Sequence, residues 1–305
     1  MLRLRHNDRN RRGFIVVAVL WILAALSALV LIYLTFVTNT AIVVAASTER
    51  VQTDALVTAG VELAAYQLTA VRAEGRPSSG TFNARIGAAR VSVTFRSEAA
   101  RIDLNAAPKA LLAGLMIGLG APPANAADYA DRIVAWRAKA EAGDDDPETS
   151  SYRTSGIAYA PRHAPFPAAE ELWLVRGIPA PVVERMLPFV TTFNNRALIN
   201  IADAAPQVVA ALPGMTPERV QAVLSQRADP RSDPRALPGL VGGEGATLEA
   251  SRAYRMTVVI DFDSGRRSAA EVVILLLEEG DEPYRVLSWR NAADGATAPQ
   301  RGALR

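Results

Sequence analysis

Apolar and polar positions divide the chain into stretches of different period. From Phe14 to Thr48 no side chain is charged, and Phe14–Val37 is a strongly apolar run of 24 residues. As a helix that run spans about 36 Å at 1.5 Å per residue. This exceeds the ~30 Å hydrocarbon core of a bilayer, so the run can cross one with some tilt. From Glu49 to Glu74 the pattern is that of a continuing helix. Val51, Ala55, Ala59, Glu62–Leu63 and Tyr66 recur at three-to-four spacing, and Gly75-Arg76-Pro77-Ser78-Ser79-Gly80 stops it.

A period of two then takes over. Arg90–Phe95 places Val91, Val93 and Phe95 on one face, and Ala100–Asn105 does the same with Ile102 and Leu104. Near the end, Tyr254–Phe262, Ala270–Leu277 and Tyr284–Trp289 read as three more strands, with a hairpin turn at Asp261-Phe262-Asp263-Ser264-Gly265. Strands separated by ~150 residues of other pattern imply one sheet interrupted by an insertion.

The interrupting stretch is helical and carries a weak repeat. Arg101–Pro108 leads into Lys109–Gly114, and Ile199–Pro206 leads into Gln207–Leu212. Each lead-in is extended, passes through polar residues and ends in Ala-Ala-Pro, with Pro suited to a first helical turn. Each first helix meets a Gly-centred turn and a second helix ending in Arg, at Arg137 and at Arg227. A third unit runs from Glu170 through Gly177-Ile178 to Val190. These units look like helix-hairpin-helix or SAM-like elements, and Ile199–Arg227 could belong either to the insertion or to the sheet domain.

Charge sharpens the picture at the N-terminus. The whole chain carries a net +2, yet residues 1–13 alone carry +4, leaving the remainder at −2. An Arg-rich leader before an apolar helix sets the cytoplasmic side and places the C-terminal remainder beyond the membrane. A nearly neutral body argues against a general polyanion binder. Half of the residues are apolar, enough for a sizeable core.

The absence of Cys excludes disulfides, thiolate nucleophiles and Cys-based zinc sites, and only His6 and His163 are histidines. No G-x-S-x-G elbow, Walker A loop or H-E-x-x-H motif occurs. We therefore expect no catalytic residue and not an enzyme. Trp136 and Trp173 read as core anchors, His163 as a surface-loop residue packed with Phe166, and Glu170 and Glu171 as charges at a helix start.

The junction Arg11-Arg12-Gly13-Phe14-Ile15 resembles the class III signal of type IV pilins and pseudopilins. The resemblance implies cleavage after Gly13 by prepilin peptidase and an N-methylated Phe14 as first mature residue. Most of that superfamily carries Glu at the fifth mature position, which here is Ala18. An unpartnered carboxylate at membrane depth costs roughly 2.5–3.5 kcal/mol, so a subunit with none above it is better without one.

Five further segments occur in the order seen in the K-type minor pseudopilins of type II secretion, the GspK family. They are Ile102–Pro108, Asp131–Trp136, Tyr159–Phe166, Glu171–Gly177 and Asn200–Pro206. The chain thus resembles that family over most of its length. The resemblance implies an α+β fold: a pilin-like long N-terminal helix, a small antiparallel sheet and a large inserted all-α domain.

The expected parts are a leader at 1–13, a transmembrane and polymerisation helix at 14–46, and a pilin-like helix with first strands at 47–100. An inserted helical domain at 101–195, returning helix and strands at 196–290 and a flexible tail at 291–305 complete the chain. The family implies a single pass through the inner membrane with the C-terminal domain in the periplasm. It also implies partnership with the I-, J- and H-type minor pseudopilins, prepilin peptidase and the inner-membrane assembly platform, and a place at the pseudopilus tip.

Calcium is the one ion the family suggests, and Asp144, Asp145, Asp146 and Glu148 form the acidic cluster that could hold it, although a solvated loop is the plainer reading. Two other functions fit parts of the pattern. One is a minor pilin of a type IV pilus. The other is a membrane-anchored helix-hairpin-helix DNA binder, which needs Gly-x-Gly turns open to phosphate. Gly214-Met215-Thr216 lacks the second Gly, Gly177-Ile178-Pro179 has Pro, and only Gly118-Leu119-Gly120 keeps both. We expect no nucleic-acid partner.

Overall fold

The computed structural model describes residues 9–139, 146–242 and 245–291; for 9–15, 37–48 and 74 the backbone alone is described. The chain begins with a long helix, α1 (Arg9–Thr69). Within it Val16–Phe36 is long and apolar enough to cross a membrane, and its large side chains are exposed, Trp21 by 74%. In the last three turns Val57, Val61, Ala64, Ala65 and Leu68 are buried at helical spacing. A Cβ on Gly60 would meet Val91, Val93 and Val258 at 3.1–3.3 Å, so this part of the helix lies directly on strands. At its C-terminus the Leu68 carbonyl accepts a hydrogen bond from Arg76 Nε at 3.0 Å, one of the carbonyls that a helix end leaves open.

A hairpin follows, β1 (Ser79–Ile86) and β2 (Ala89–Ser97). Its turn uses Gly87 at φ +57, a conformation that costs glycine nothing. The insertion comes next: β3 (Ile102–Asp103), α2 (Lys109–Gly118), α3 (Pro123–Arg137), α4 (Pro147–Thr154), α5 (Ala180–Met186) and β4 (Val190–Thr191). It continues through β5 (Ile199–Asn200), α6 (Pro206–Ala210), α7 (Pro217–Ala228), α8 (Leu237–Leu240) and β6 (Ala246–Thr247). The chain then returns through β7 (Ala253–Phe262), β8 (Arg267–Leu276) and β9 (Tyr284–Asn291).

The five long strands form one antiparallel sheet in the order β1-β2-β7-β8-β9. Strand β2 pairs with β7 along its full length, from Ala89 opposite Phe262 to Ser97 opposite Tyr254. Everything between Ser97 and Ala253 is therefore inserted between two neighbouring strands of one sheet. A single hydrophobic core fills the insertion, running from Ile102 and Leu104 through Trp136, Phe166 and Met186 to Val223 and Val241. Ile199, Ile201, Val208 and Val209 belong to that core, which places Ile199–Arg227 with the insertion.

The weak repeat is a real structural duplication. Strand β3 pairs in parallel with β4, and β5 pairs in parallel with β6. Leu104 N donates to Thr191 O and, at the matching place, Ile201 N donates to Thr247 O. Asp103 and Asn200 each use a side-chain oxygen to accept the N–H two residues on. Arg137, ending α3, donates to Leu104 O and Ala107 O, and Arg227, near the end of α7, donates to Ala204 O.

Several expectations change in detail. The strand read over Ala100–Asn105 shrinks to Ile102–Asp103, because the next residues turn into α2. The insertion is helical apart from its two parallel β pairings, so it is not purely α. Strand β1, read only as part of a stop, is real; its alternation is of half-buried and exposed residues at a sheet edge, and only Phe82 and Ile86 along it are large apolar side chains. Trp136 is buried and stacks on Phe166, but Trp173 is 46% exposed and anchors no core.

Candidate functional site

The candidate elements lie in three places. The first is the start of α1. Its helical backbone runs without a break through Gly13 and Phe14, whose side chains lie outside the described residues. Ala18 is half-buried. No acidic side chain occurs between Phe14 and Thr48, so this part of the helix presents only apolar and uncharged polar groups.

The second place is the acidic stretch. Asp144 and Asp145 lie outside the described residues. Asp146 and Glu148 do not belong to a solvated loop, since α4 begins at Pro147. Asp146 is its N-cap and accepts the Thr149 N–H at 2.7 Å, and Pro147 occupies the first helical position. Hydrogen bonds from Thr149 hold the Asp146 carboxyl below the usual carboxylate range, with His163 adding to the shift.

Asp146 Oδ2 lies 3.0 Å from His163 Nε2. That imidazole also meets Thr149 Oγ1 at 3.1 Å and, through Nδ1, Ala138 O at 3.2 Å, while its backbone N–H donates to Trp136 O. His163 therefore clasps the end of α3 to the start of α4, a structural task rather than a free loop position. Glu148 Oε1 is buried and has no hydrogen-bond partner. Among the described residues no group of three or more His, Cys, Asp or Glu is arranged to hold a metal.

The third place is the junction of sheet and insertion, built on an ion-pair network. Glu98, 1% exposed, accepts from Arg255 Nε at 2.8 Å and from Arg255 Nη2 at 3.2 Å. Thr191 Oγ1 donates to the same carboxylate, and Arg255 Nη1 donates to Glu271. Burial acts to lower the pKa of Arg255, but Glu98 and Glu271 outweigh it and hold it above its ordinary value. Arg101, next to them, is lowered by burial and by the Arg255 charge. Breaking one partner of such a pair costs about 3–5 kcal/mol, because a buried charge is left alone.

Asp103 is the buried hub of the first repeat unit. Oδ1 accepts from Asn105 N and Ala106 N, and Oδ2 accepts from Asn195 N at 2.8 Å. Burial pushes its carboxyl above the usual range against the pull of those N–H groups. Sequence reading singled out neither Glu98 nor Arg255. Arg255 and Glu271 fall out of phase with the buried positions of β7 and β8, where a charge reads as solvent-facing, and their partner Glu98 is far away in sequence. The Gly-centred turns are not alike: at Gly177, φ +76, the Arg132 guanidinium occupies the space a Cβ would need, while Gly214 and Gly120 are open.

Residues 93–195 match a family model described as type II secretion system (T2SS), protein K. No curated protein matches the chain. The fold is similar to a chain in the solved GspK-GspI-GspJ complex from the type 2 secretion system of enterotoxigenic Escherichia coli. The TM-score is 0.56 at 18% identity, covering 81% of this chain and 98% of that one. The resemblance read from the sequence is thereby borne out, and neither alternative reading gains support.

Proposed function

We propose that this chain is a minor pseudopilin of the type II secretion GspK type, and that it caps the free end of a pseudopilus and helps to start it; the family match over residues 93–195 and the similar fold support this. The observation that carries this reading is the insertion of a whole helical core between the adjacent strands β2 and β7 of a pilin-like sheet. Such a mass on one subunit leaves no room for another above it. Ala18 supports the same placement, since a terminal subunit needs no carboxylate for an upstream neighbour.

In this reading prepilin peptidase removes residues 1–13 and Phe14 becomes the methylated first residue. The apolar part of α1 first anchors the chain once in the inner membrane, with the sheet and insertion in the periplasm. It then leaves the bilayer to pack against the equivalent helices of other minor pseudopilins on the assembly platform. The I- and J-type subunits are the first candidates, because the structurally similar chain was solved in complex with GspI and GspJ. The role is mechanical rather than catalytic. Calcium at Asp144, Asp145, Asp146 and Glu148 belongs to the same reading, and its support is the orphaned Glu148 Oε1.

Mass spectrometry of the protein made with and without prepilin peptidase tests the processing step. Loss of residues 1–13 plus one methyl is expected, and an intact N-terminus overturns it. For the tip role, Ala18→Glu and replacement of the insertion by a short turn are each expected to reduce pseudopilus initiation. Unchanged initiation and secretion in both would end the tip assignment.

A further inference from the structure

A groove of about 590 Å³ runs between the insertion and the sheet face turned away from the α1 residues 57–69. Its volume lies within the 300–1,000 Å³ typical of binding sites. Four arginines line it, Arg96, Arg101, Arg255 and Arg267, against two glutamates, Glu98 and Glu271. Both glutamates are held by Arg255. Arg267 has only a loose, exposed partner, Asp261 at 3.4 Å. Among the described residues, Arg96 and Arg101 face no carboxylate at ion-pair distance; Arg101 reaches only Val190 O, at 3.5 Å.

A second observation concerns Arg227, which stands behind Ala204 and Ala205 at the end of the groove that Ala205 lines. Its Nε and Nη2 are buried without acceptors; it feels the charge of Asp203 first and that of Arg96 second. Arg101 and Arg227 are held partly out of water while Arg96 stands exposed at the rim, and buried guanidinium donors without acceptors favour an anion that reaches them. Nothing in the fold requires this excess, since the pairs that hold insertion to sheet are already complete at Glu98, Arg255 and Glu271.

We propose that this groove binds an acidic polypeptide segment in extended form, with its carboxylates on Arg96 and Arg101. A strand presents every second side chain to one face, about 6.6 Å apart, so its carboxylates can straddle Glu271 rather than meet it. A polyphosphate chain has no such freedom. Thr94 and Thr257, paired across β2 and β7, supply hydroxyls on the floor, and Pro188 and Phe189 supply an apolar wall for the intervening residues. This site is independent of the tip assignment.

The test is fluorescence anisotropy of a labelled Glu-Val repeat hexapeptide with the full chain in detergent, at about 50 mM salt where charge pairing is weakly screened. Saturable binding that weakens with salt is expected. Arg96→Gln alone, at an exposed position, should weaken it about threefold, and Arg96→Gln with Arg101→Gln at least about tenfold. Arg90→Gln, on the same sheet face outside the groove, should change it less than about twofold. Circular dichroism melting of each variant separates unfolding from lost binding, and the single Arg96→Gln variant decides if the double variant does not fold. No saturable binding, equal loss in Arg90→Gln, or displacement of the peptide by a single-stranded oligonucleotide at lower concentration would each overturn the proposal.

Discussion

The two repeat units share one backbone plan and differ in what their polar hub holds. In the first, Asp103 gathers three backbone N–H groups, one of them from Asn195 far along the chain. In the second, Asn200 accepts one N–H from Ala202 and instead donates to Leu248 O and Glu249 O. The acid thus ties its unit to donors and the amide ties its unit to acceptors. Asp203, where the first unit has Ala106, accepts from Ser78 and from Ser79 at 2.7 Å and so fastens the second unit to the start of β1. The backbone sets where a tether leaves the unit, and a single side-chain group decides which polarity it captures.

Replacing the hubs should separate the units most clearly. Asp103→Ala leaves three buried donors without an acceptor and is expected to cost about 3–5 kcal/mol of stability, against about 1–3 kcal/mol for Asn200→Ala. Urea denaturation of the full chain in detergent measures both, and equal losses would erase the distinction. Asn200→Asp converts the second hub to the first type. It turns two donated hydrogen bonds into a carboxylate facing carbonyls, at a cost of about 2–3 kcal/mol by the same measurement.

The closing arginines give a smaller contrast. Arg137 donates to two carbonyls, while Arg227 donates to one and leaves Nε and Nη2 unsatisfied. Arg137→Met should cost about 2 kcal/mol, and Arg227→Met should stay within about 1 kcal/mol of the parent in either direction. Thermal melts would show which arginine its unit needs.

The smallest effect concerns α4, which only the first unit carries. Asp146→Ala removes its N-cap and should cost about 1 kcal/mol near neutral pH. The carboxyl's folded pKa is depressed, so its contribution is present above the unfolded value and lost as pH falls through the folded one. The gap between parent and variant should therefore close in acid. A gap that persists there would mean that Asp146 acts by packing alone.

Much of this plan was legible in the sequence, since period and punctuation are local properties. Strands β2 and β7 carry clean alternation, β8 shows as a short apolar run, and the two Ala-Ala-Pro lead-ins mark α2 and α6. Helix α4 escaped because Glu148-Thr149-Ser150-Ser151 offers no apolar stripe, although Asp146-Pro147 was a start signal in plain view. The clasp at His163 and the Glu98–Arg255 pair escaped for a different reason. They join residues that only the folded chain brings together, and no period in one segment reveals a partner in another.

The insertion enters and leaves through a narrow doorway. Ser97 and Ser251 meet at 3.1 Å between their hydroxyls, Ser251 N donates to Ser97 Oγ, and the sheet resumes at once with Tyr254 opposite Ser97. A head attached by two adjacent threads can be enlarged, trimmed or exchanged for another without re-weaving the sheet beneath it. The pairing of β2 with β7 closes without reference to what is threaded between them.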